Sequence, residues 1–243
     1  MGLKILLILA VSLFSVVGLN ARTVMCEGHT AEIPPLTKDI HALHLRDVGA
    51  DNLYALHFPA TLEDLNLSAN GLMLLPNEFI PSKIKRLWLA DNRLVTLPQE
   101  ASAWTQLIYL NVDRNLLDSL PNLEQTKLRW LRANGNQLSV LPNLPDTIER
   151  LYLADNRLTQ FTTKPKALRQ LTLANNPIQS VEASLGEGLE ELDLSGTKIT
   201  RLPECLDGWR TLRVLNVARC PLLEEEKDRL DAFFDPLKTL VIF

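Results

Sequence analysis

The chain has 243 residues, 46% hydrophobic and 22% charged, which suits one medium domain or a short repeat array. With 29 acidic and 25 basic residues its net charge is −4, so it lacks the basic footprint of a nucleic-acid-binding domain or of a polybasic membrane-surface protein. Three cysteines allow at most one disulfide, so a hydrophobic core has to hold the fold.

Residues 1–21 differ from the rest. Lys4 supplies a positive charge, Ile5 to Leu19 is almost wholly apolar, and Asn20 and Ala21 follow. This pattern predicts a secretory signal peptide cleaved between Ala21 and Arg22. The alternatives are a buried N-terminal helix and an uncleaved membrane anchor, for which the apolar run is slightly short. Thr23-Val24-Met25 before Cys26 lacks the small residues expected before a lipid-modified cysteine. Residues 22–39 form the expected N-terminal cap, with a first strand at Thr23–Cys26 followed by Ile33-Pro34.

From residue 40 onward one pattern recurs, L-x-x-L-x-L-x-x-N-x-L. It is clean in Leu62–Leu72, Ile84–Leu94, Leu107–Leu117, Ile148–Leu158 and Leu168–Ile178. Leu128–Leu138 carries Ala133 at the third apolar position, Leu189–Ile199 carries Thr197 for Asn, and Leu212–Leu222 carries Cys220 there. Ile40–Ala50 is a degenerate first copy with Val48. The copies start at 40, 62, 84, 107, 128, 148, 168, 189 and 212. A fixed period of this length marks a solenoid.

Within each copy, the two apolar residues of L-x-L lie two apart and share a face, as in a strand. One copy cannot bury that face alone. Stacking the copies over 40–221 buries the rows and builds a parallel sheet. The row Asn70, Asn92, Asn115, Asn136, Asn156 and Asn176 falls where the chain leaves each strand. There an amide can both donate to and accept from turn backbone. Cys and Thr do part of this, and Val48 cannot. The return segments often begin with Leu-Pro, as at Leu75-Pro76, Leu97-Pro98, Leu120-Pro121, Leu141-Pro142 and Leu202-Pro203, which favours extended chain. The shortest repeats leave no room for a helix; one helical turn fits the longest.

Residues 222–243 are the expected C-terminal cap. Glu224–Phe234 reads as a helix with Glu224, Glu225 and Glu226 in its first turn, where carboxylates suit the helix dipole. Leu223, Leu230, Phe233 and Phe234 are its expected buried stripe. Leu237, Leu240 and Ile242 repeat the strand signature and predict a final strand.

These repeats identify the chain, over roughly residues 24–243, as resembling the leucine-rich-repeat family. Leu141–Asn156, with Leu141-Pro142 and Leu144-Pro145, is similar to the short LPX repeats of secreted bacterial effectors. The ending from Cys220 to Leu230, closing on Val241-Ile242-Phe243, resembles terminal repeats of bacterial members. Val24-x-Cys26 and Ile33-Pro34 resemble half of the cysteine-bearing cap of extracellular members. The resemblance implies an α/β horseshoe of about nine repeats plus caps, with a concave parallel sheet that binds protein ligands.

Some bacterial members carry a ubiquitin-ligase domain with a catalytic Cys-x-Asp. Cys205-Leu206-Asp207 matches the tripeptide, but Leu206 fits the repeat core and only residues 208–243 follow. No catalytic residue, metal site or cofactor is therefore expected. His41 and His44 are three apart on a strand and point to opposite faces. Glu190 and Glu191 are adjacent and solvated. Asn66-Leu67-Ser68 matches a glycosylation sequon that a eukaryotic secretory route could occupy, but the bacterial character of the repeats favours coincidence.

Two outward rows flank the middle Leu of each strand. One runs Ala42, Asp64, Arg86, Tyr109, Trp130, Arg150, Gln170, Glu191, Val214. The other runs His44, Asn66, Trp88, Asn111, Arg132, Tyr152, Thr172, Asp193, Asn216. Arg86, Trp88, Tyr109, Trp130, Arg132, Arg150 and Tyr152 gather on adjacent strands, with Asp91, Asp113, Arg114 and Asp155 at the strand exits. Tyr, Trp and Arg dominate binding hot spots, and exposed aromatic patches mark interaction sites. The ligand-binding set expected is Arg86, Trp88, Tyr109, Asp113, Trp130, Arg132, Arg150 and Tyr152. The competing reading is that these side chains stack only to stabilise the sheet.

The sequence therefore predicts an exported, secreted or periplasmic, non-enzymatic module that binds a protein on its concave face, with no nucleic-acid partner. The rival readings are an effector related to the bacterial ubiquitin ligases but without their catalytic domain, and a structural or glycan-binding envelope protein.

Overall fold

The computed structural model describes residues 23–243 except 30, 31, 77–79, 100–103 and 164. The expected signal peptide and its cleavage site lie outside the described residues.

An apolar L-x-L unit leaves only three residues per repeat to form sheet, and that is what the chain does. β1 (Thr23–Glu27) and β2 (Ala42–Arg46) are followed by nine short strands: β3 (Asp64–Asn66), β4 (Arg86–Trp88), β5 (Tyr109–Asn111), β6 (Trp130–Arg132), β7 (Arg150–Tyr152), β8 (Gln170–Thr172), β9 (Glu191–Asp193), β10 (Val214–Asn216) and β11 (Leu240–Ile242). They form one parallel sheet in chain order. The middle leucines align directly, Leu43 with Leu65, Leu65 with Leu87, and onward to Leu192 with Leu215. All are buried, as are the second inward residues such as Leu67, Leu89 and Val112. Each fully buried leucine contributes about 1.5–3 kcal/mol, so the stacked rows are the main source of stability.

Return segments follow their length. The first 22-residue step holds one helical turn, α1 (Ala50–Tyr54), which buries Leu53. Short 3₁₀ turns occur at Ala183–Gly186 and Asp207–Trp209. The repeats starting at 128 and 148 contain no helix among their described residues. Gly186 lies where a β-carbon would run into the Trp209 ring. Trp209 is fully buried there, and its indole N–H donates to Ala183 O at 2.6 Å.

The asparagine row closes the turns. Asn92 Oδ1 accepts from Asn70 N and Leu72 N, both at 3.0 Å, while Asn92 Nδ2 donates to Leu67 O at 3.0 Å and Leu89 O at 2.9 Å. Asn115, Asn136, Asn156 and Asn176 each accept from the preceding turn's N–H and donate to carbonyls of the preceding turn and their own. Asn70 does the same toward Val48 N and Leu45 O. Thr197 Oγ1 donates to Leu194 O of its own turn at 2.7 Å and lies 3.2 Å from Cys220 Sγ. Cys220 Sγ lies 3.1 Å from Leu194 O.

Just before this row every repeat places a residue in the left-handed region: Asp47, Ala69, Asp91, Arg114, Gly135, Asp155, Asn175, Gly196 and Arg219, with φ between 54° and 65°. That conformation turns the chain sharply out of the strand. Asp, Asn and Gly tolerate it, whereas Ala69 and Arg114 adopt it at a steric cost.

The ends differ from expectation in two places. The helix is present as α2 (Glu224–Phe233), and Leu230 and Phe234 are buried. Leu223 is 51% exposed, because it precedes the first turn and points away from the solenoid. The buried position on that side belongs to Glu226, 1% exposed. Its Oε1 accepts from Leu202 N at 2.8 Å and Arg229 Nη2 at 2.7 Å, and Arg229 donates to the carbonyls of Leu202, Pro203 and Glu204. Burial raises the Glu226 carboxyl pKa, but the bonds from Arg229 and Leu202 N and the charges of Arg229 and Arg201 outweigh it and hold the group below its ordinary value.

The final strand forms, but one residue out of step with the predicted signature. Val241 pairs with Leu215 and takes the inward position, leaving Leu240 and Ile242 on the outward rows and Leu237 94% exposed. A slip of one residue reverses every side chain in a strand. All three cysteines are free: Cys26 is buried, Cys220 half-buried and Cys205 exposed.

Candidate functional site

The register that stacks the leucines also stacks the residues between them. Trp88 pairs with Asn111, Tyr109 with Trp130, Trp130 with Arg150, and Arg132 with Tyr152. The expected patch therefore assembles on β4–β7.

Its rings form a continuous line. His44 and Trp88 lie 5.8 Å apart, Trp88 and Tyr109 5.1 Å apart with the rings tilted, and Tyr109 meets Trp130 edge-on at 6.0 Å. The Arg150 guanidinium lies over the Trp130 ring at 4.5 Å, and Arg132 lies over Tyr152 at 5.2 Å. Trp130 is 39% exposed, while Trp88, Tyr109 and Tyr152 are half-buried. Tyr152 donates its hydroxyl to Gln170 Oε1 at 3.1 Å. Burial lowers the His44 pKa and raises that of the Tyr109 hydroxyl, which leaves both groups neutral near pH 7.

The charges are distributed unevenly. Arg86 forms a two-point pair with Asp64, with Nε 2.6 Å from Oδ1, and this bond holds its pKa up. Asp113, expected among the ligand-binding residues, is only 2% exposed. Its Oδ2 accepts from Arg132 Nε at 2.7 Å, and its Oδ1 accepts from Asn134 N and Nδ2 at 2.8 and 2.9 Å. With both oxygens occupied beneath the surface, Asp113 positions Arg132 and does not face a ligand. At the strand exits Arg114 bonds Asp91, with Nη2 2.7 Å from Oδ2, and this holds the Asp91 carboxyl below its ordinary range. Asp155 accepts from Asn175 Nδ2 at 2.8 Å.

Beside the ring line, at the start of the strands, lies a groove of about 400 Å³. Ile108, Tyr109 and Trp130 form its apolar part, and its rims carry Glu63, Asp64, Lys85, Arg86, Arg129 and Glu149. Lys85 pairs with Glu63 at 2.8 Å, and Arg129 Nε with Glu149 at 2.9 Å. Sequence reasoning placed Arg86, Tyr109 and Trp130 here but missed Glu63, Lys85, Ile108, Arg129 and Glu149. A signal existed: each follows the first apolar residue of its repeat, and among them only Ile108 is uncharged.

Among the described residues no group of three or more His, Cys, Asp or Glu side chains is placed to hold a metal ion. Cys205 Sγ lies 3.7 Å from Asp207 Oδ2 on the exposed surface, with Leu206 buried between them in sequence.

Comparison with known proteins agrees with the fold. Residues 166–222 match the leucine rich repeat family profile. No curated protein sequence matches the chain. Among solved structures it is similar to a Shigella effector LRR domain (TM-score 0.61, 23% identity, 71% of this chain and 77% of the other). It is also similar to YopM from Yersinia pestis (0.60, 21%, 82% and 61%) and to the leucine-rich repeat domain of APL1B (0.68, 22%, 76% and 57%). The chain thus spans less than two thirds of the YopM and APL1B chains. Repeat register, asparagine row and parallel solenoid agree with these structures on a leucine-rich-repeat fold, and residues 166–222 match the family profile itself.

Proposed function

We propose that the chain is an exported, non-enzymatic binding module that holds a protein partner on the concave face of β4–β7. The observation that carries this reading is the aromatic–arginine line of Trp88, Tyr109, Trp130, Arg132, Arg150 and Tyr152 beside the 400 Å³ groove. Large rings and guanidinium groups that remain accessible on a concave surface are the usual anchors of a protein interface. The solenoid shared with leucine-rich effector domains supports an interaction module. Secretion, to the periplasm or cell surface, rests on the apolar segment Ile5–Leu19. Among the described residues no helix is long and apolar enough to cross a membrane.

A glycan-binding reading is less well supported. Arg150 lies over the Trp130 ring and Arg132 over Tyr152, so the faces a sugar would stack on are occupied.

The test is capture of a partner from native extract by residues 22–243, followed by measured affinity for that partner. Trp130→Ala is expected to cost about 2 kcal/mol, or roughly thirtyfold in Kd, with unchanged folding. Equal affinity in wild type and variant would move the site off the concave face. Loss of about 21 residues from the exported chain, seen by mass, would support cleavage at Ala21.

A further inference from the structure

We infer that Arg132 and Arg150 form a clamp for a single carboxylate, and that the partner is a peptide segment presenting Asp or Glu beside an apolar side chain. This deepens the proposed concave-face function and rests on it. Among the described residues Arg150 makes no ion pair and no side-chain hydrogen bond. Its neighbours are different. Arg86 is taken by Asp64, Arg129 by Glu149 and Lys85 by Glu63. Arg150 instead has its guanidinium carbon 4.5 Å from the centre of the Trp130 ring, a contact that restrains the group without using its hydrogen-bond donors.

Arg132 is the second half. It is diagonal to Arg150 across the β6–β7 pair, within reach of a common ligand. Only its Nε is committed, to Asp113, and its side chain is 40% exposed. Stacking on Tyr152 orients it as Trp130 orients Arg150. Two pre-set forks of this kind match the two oxygens of a carboxylate. The charge balance favours a monovalent anion. Asp113 cancels one of the two positive charges, and the neighbouring Glu149 is already neutralised by Arg129. Trp130 also belongs to the groove, so an apolar side chain seated against Ile108 and Tyr109 places the adjacent acidic side chain at Arg150.

The experiment uses residues 22–243 as bait for phage-displayed random peptides. Selected sequences are synthesised, and their affinities are measured by fluorescence polarisation for wild type, Arg150→Gln, Arg132→Gln and Trp130→Ala. Circular dichroism checks that each variant folds. The expected consensus places Asp or Glu next to an aromatic or aliphatic residue. Arg150→Gln then weakens binding about tenfold or more, which is about 1.4 kcal/mol. Changing the peptide's acid to its amide weakens wild-type binding but adds little in Arg150→Gln, the signature of a direct pair. Neutral peptides that ignore Arg150→Gln but are lost with Trp130→Ala overturn the clamp and leave the concave site standing. Peptides indifferent to all three changes overturn both. A library that yields no binder, or binding only of an anionic oligosaccharide, overturns the acidic-peptide assignment.

Discussion

Removing Asn115 tests the physical basis of the solenoid. Its Oδ1 accepts from Leu94 N at 3.1 Å, and its Nδ2 donates to Leu89 O at 2.9 Å and Val112 O at 3.1 Å. The side chain is 5% exposed, so water cannot replace these bonds. Asn115→Ala leaves the buried Leu94 N unpaired, at about 1–3 kcal/mol, while Leu89 O and Val112 O lose one donor each but keep Asn92 Nδ2 and Asn136 Nδ2. With the two weakened carbonyls added, the expected loss is about 2–4 kcal/mol, a large part of the roughly 5–15 kcal/mol typical of a folded domain. Asn115→Thr should be milder, about 1–3 kcal/mol, because a hydroxyl can still reach Val112 O as Thr197 reaches Leu194 O. Urea unfolding followed by tryptophan fluorescence measures both. A lower midpoint with an unchanged slope identifies lost stability rather than altered cooperativity. A loss below about 1 kcal/mol for Asn115→Ala, or equal losses for Ala and Thr, would refute the turn-bridging account.

Two further changes probe the backbone and the C-terminal cap. Ala69 sits at φ 59°, so Ala69→Gly should stabilise by about 0.5–1 kcal/mol, the relief of β-carbon strain less the added freedom of the unfolded chain. A raised Tm in thermal unfolding is expected, and a lowered one would show that the strain is not there. Glu226 has its folded pKa depressed below the ordinary 4.5, so its stabilisation is fully present above that value and is lost as pH falls through the folded pKa. Glu226→Gln should cost about 1–2 kcal/mol at neutral pH, reduced from a fully buried pair because Arg229 is partly exposed. The gap between variant and wild type, followed as Tm against pH, should close below about pH 4.5. A gap independent of pH would contradict the charged network.

What the sequence disclosed follows from what repeats. Alternation of period two and an asparagine at a fixed offset report directly on strands and turns, so the stacking of Leu43 through Leu215 and the place of Asn70 through Asn176 could be read without coordinates. Features set by one particular neighbour could not. Glu226 looks like an ordinary first-turn carboxylate until Leu202 N and Arg229 meet it from another segment. The final strand offered two apolar pairings, Leu240 with Ile242 or Val241 with Phe243, and pairing with β10 selects the second. The left-handed column was visible in Asp91, Gly135, Asp155 and Asn175, but Ala69 and Arg114 concealed it. On the concave face the residue types were legible, whereas the burial of Asp113 and the unpaired state of Arg150 depend on partners about twenty residues away.

The central claim is that a protein partner occupies the concave surface of β4–β7. Hydroxyl-radical footprinting of the captured complex addresses it most directly. Trp88, Tyr109 and Trp130 react from the concave face, while Met73 and Val140, 61% and 62% exposed, report on the return side. The account predicts that binding protects the three aromatic residues and leaves Met73 and Val140 as reactive as in the free chain. Protection of Met73 and Val140 with unchanged labelling of Trp88, Tyr109 and Trp130 would contradict it.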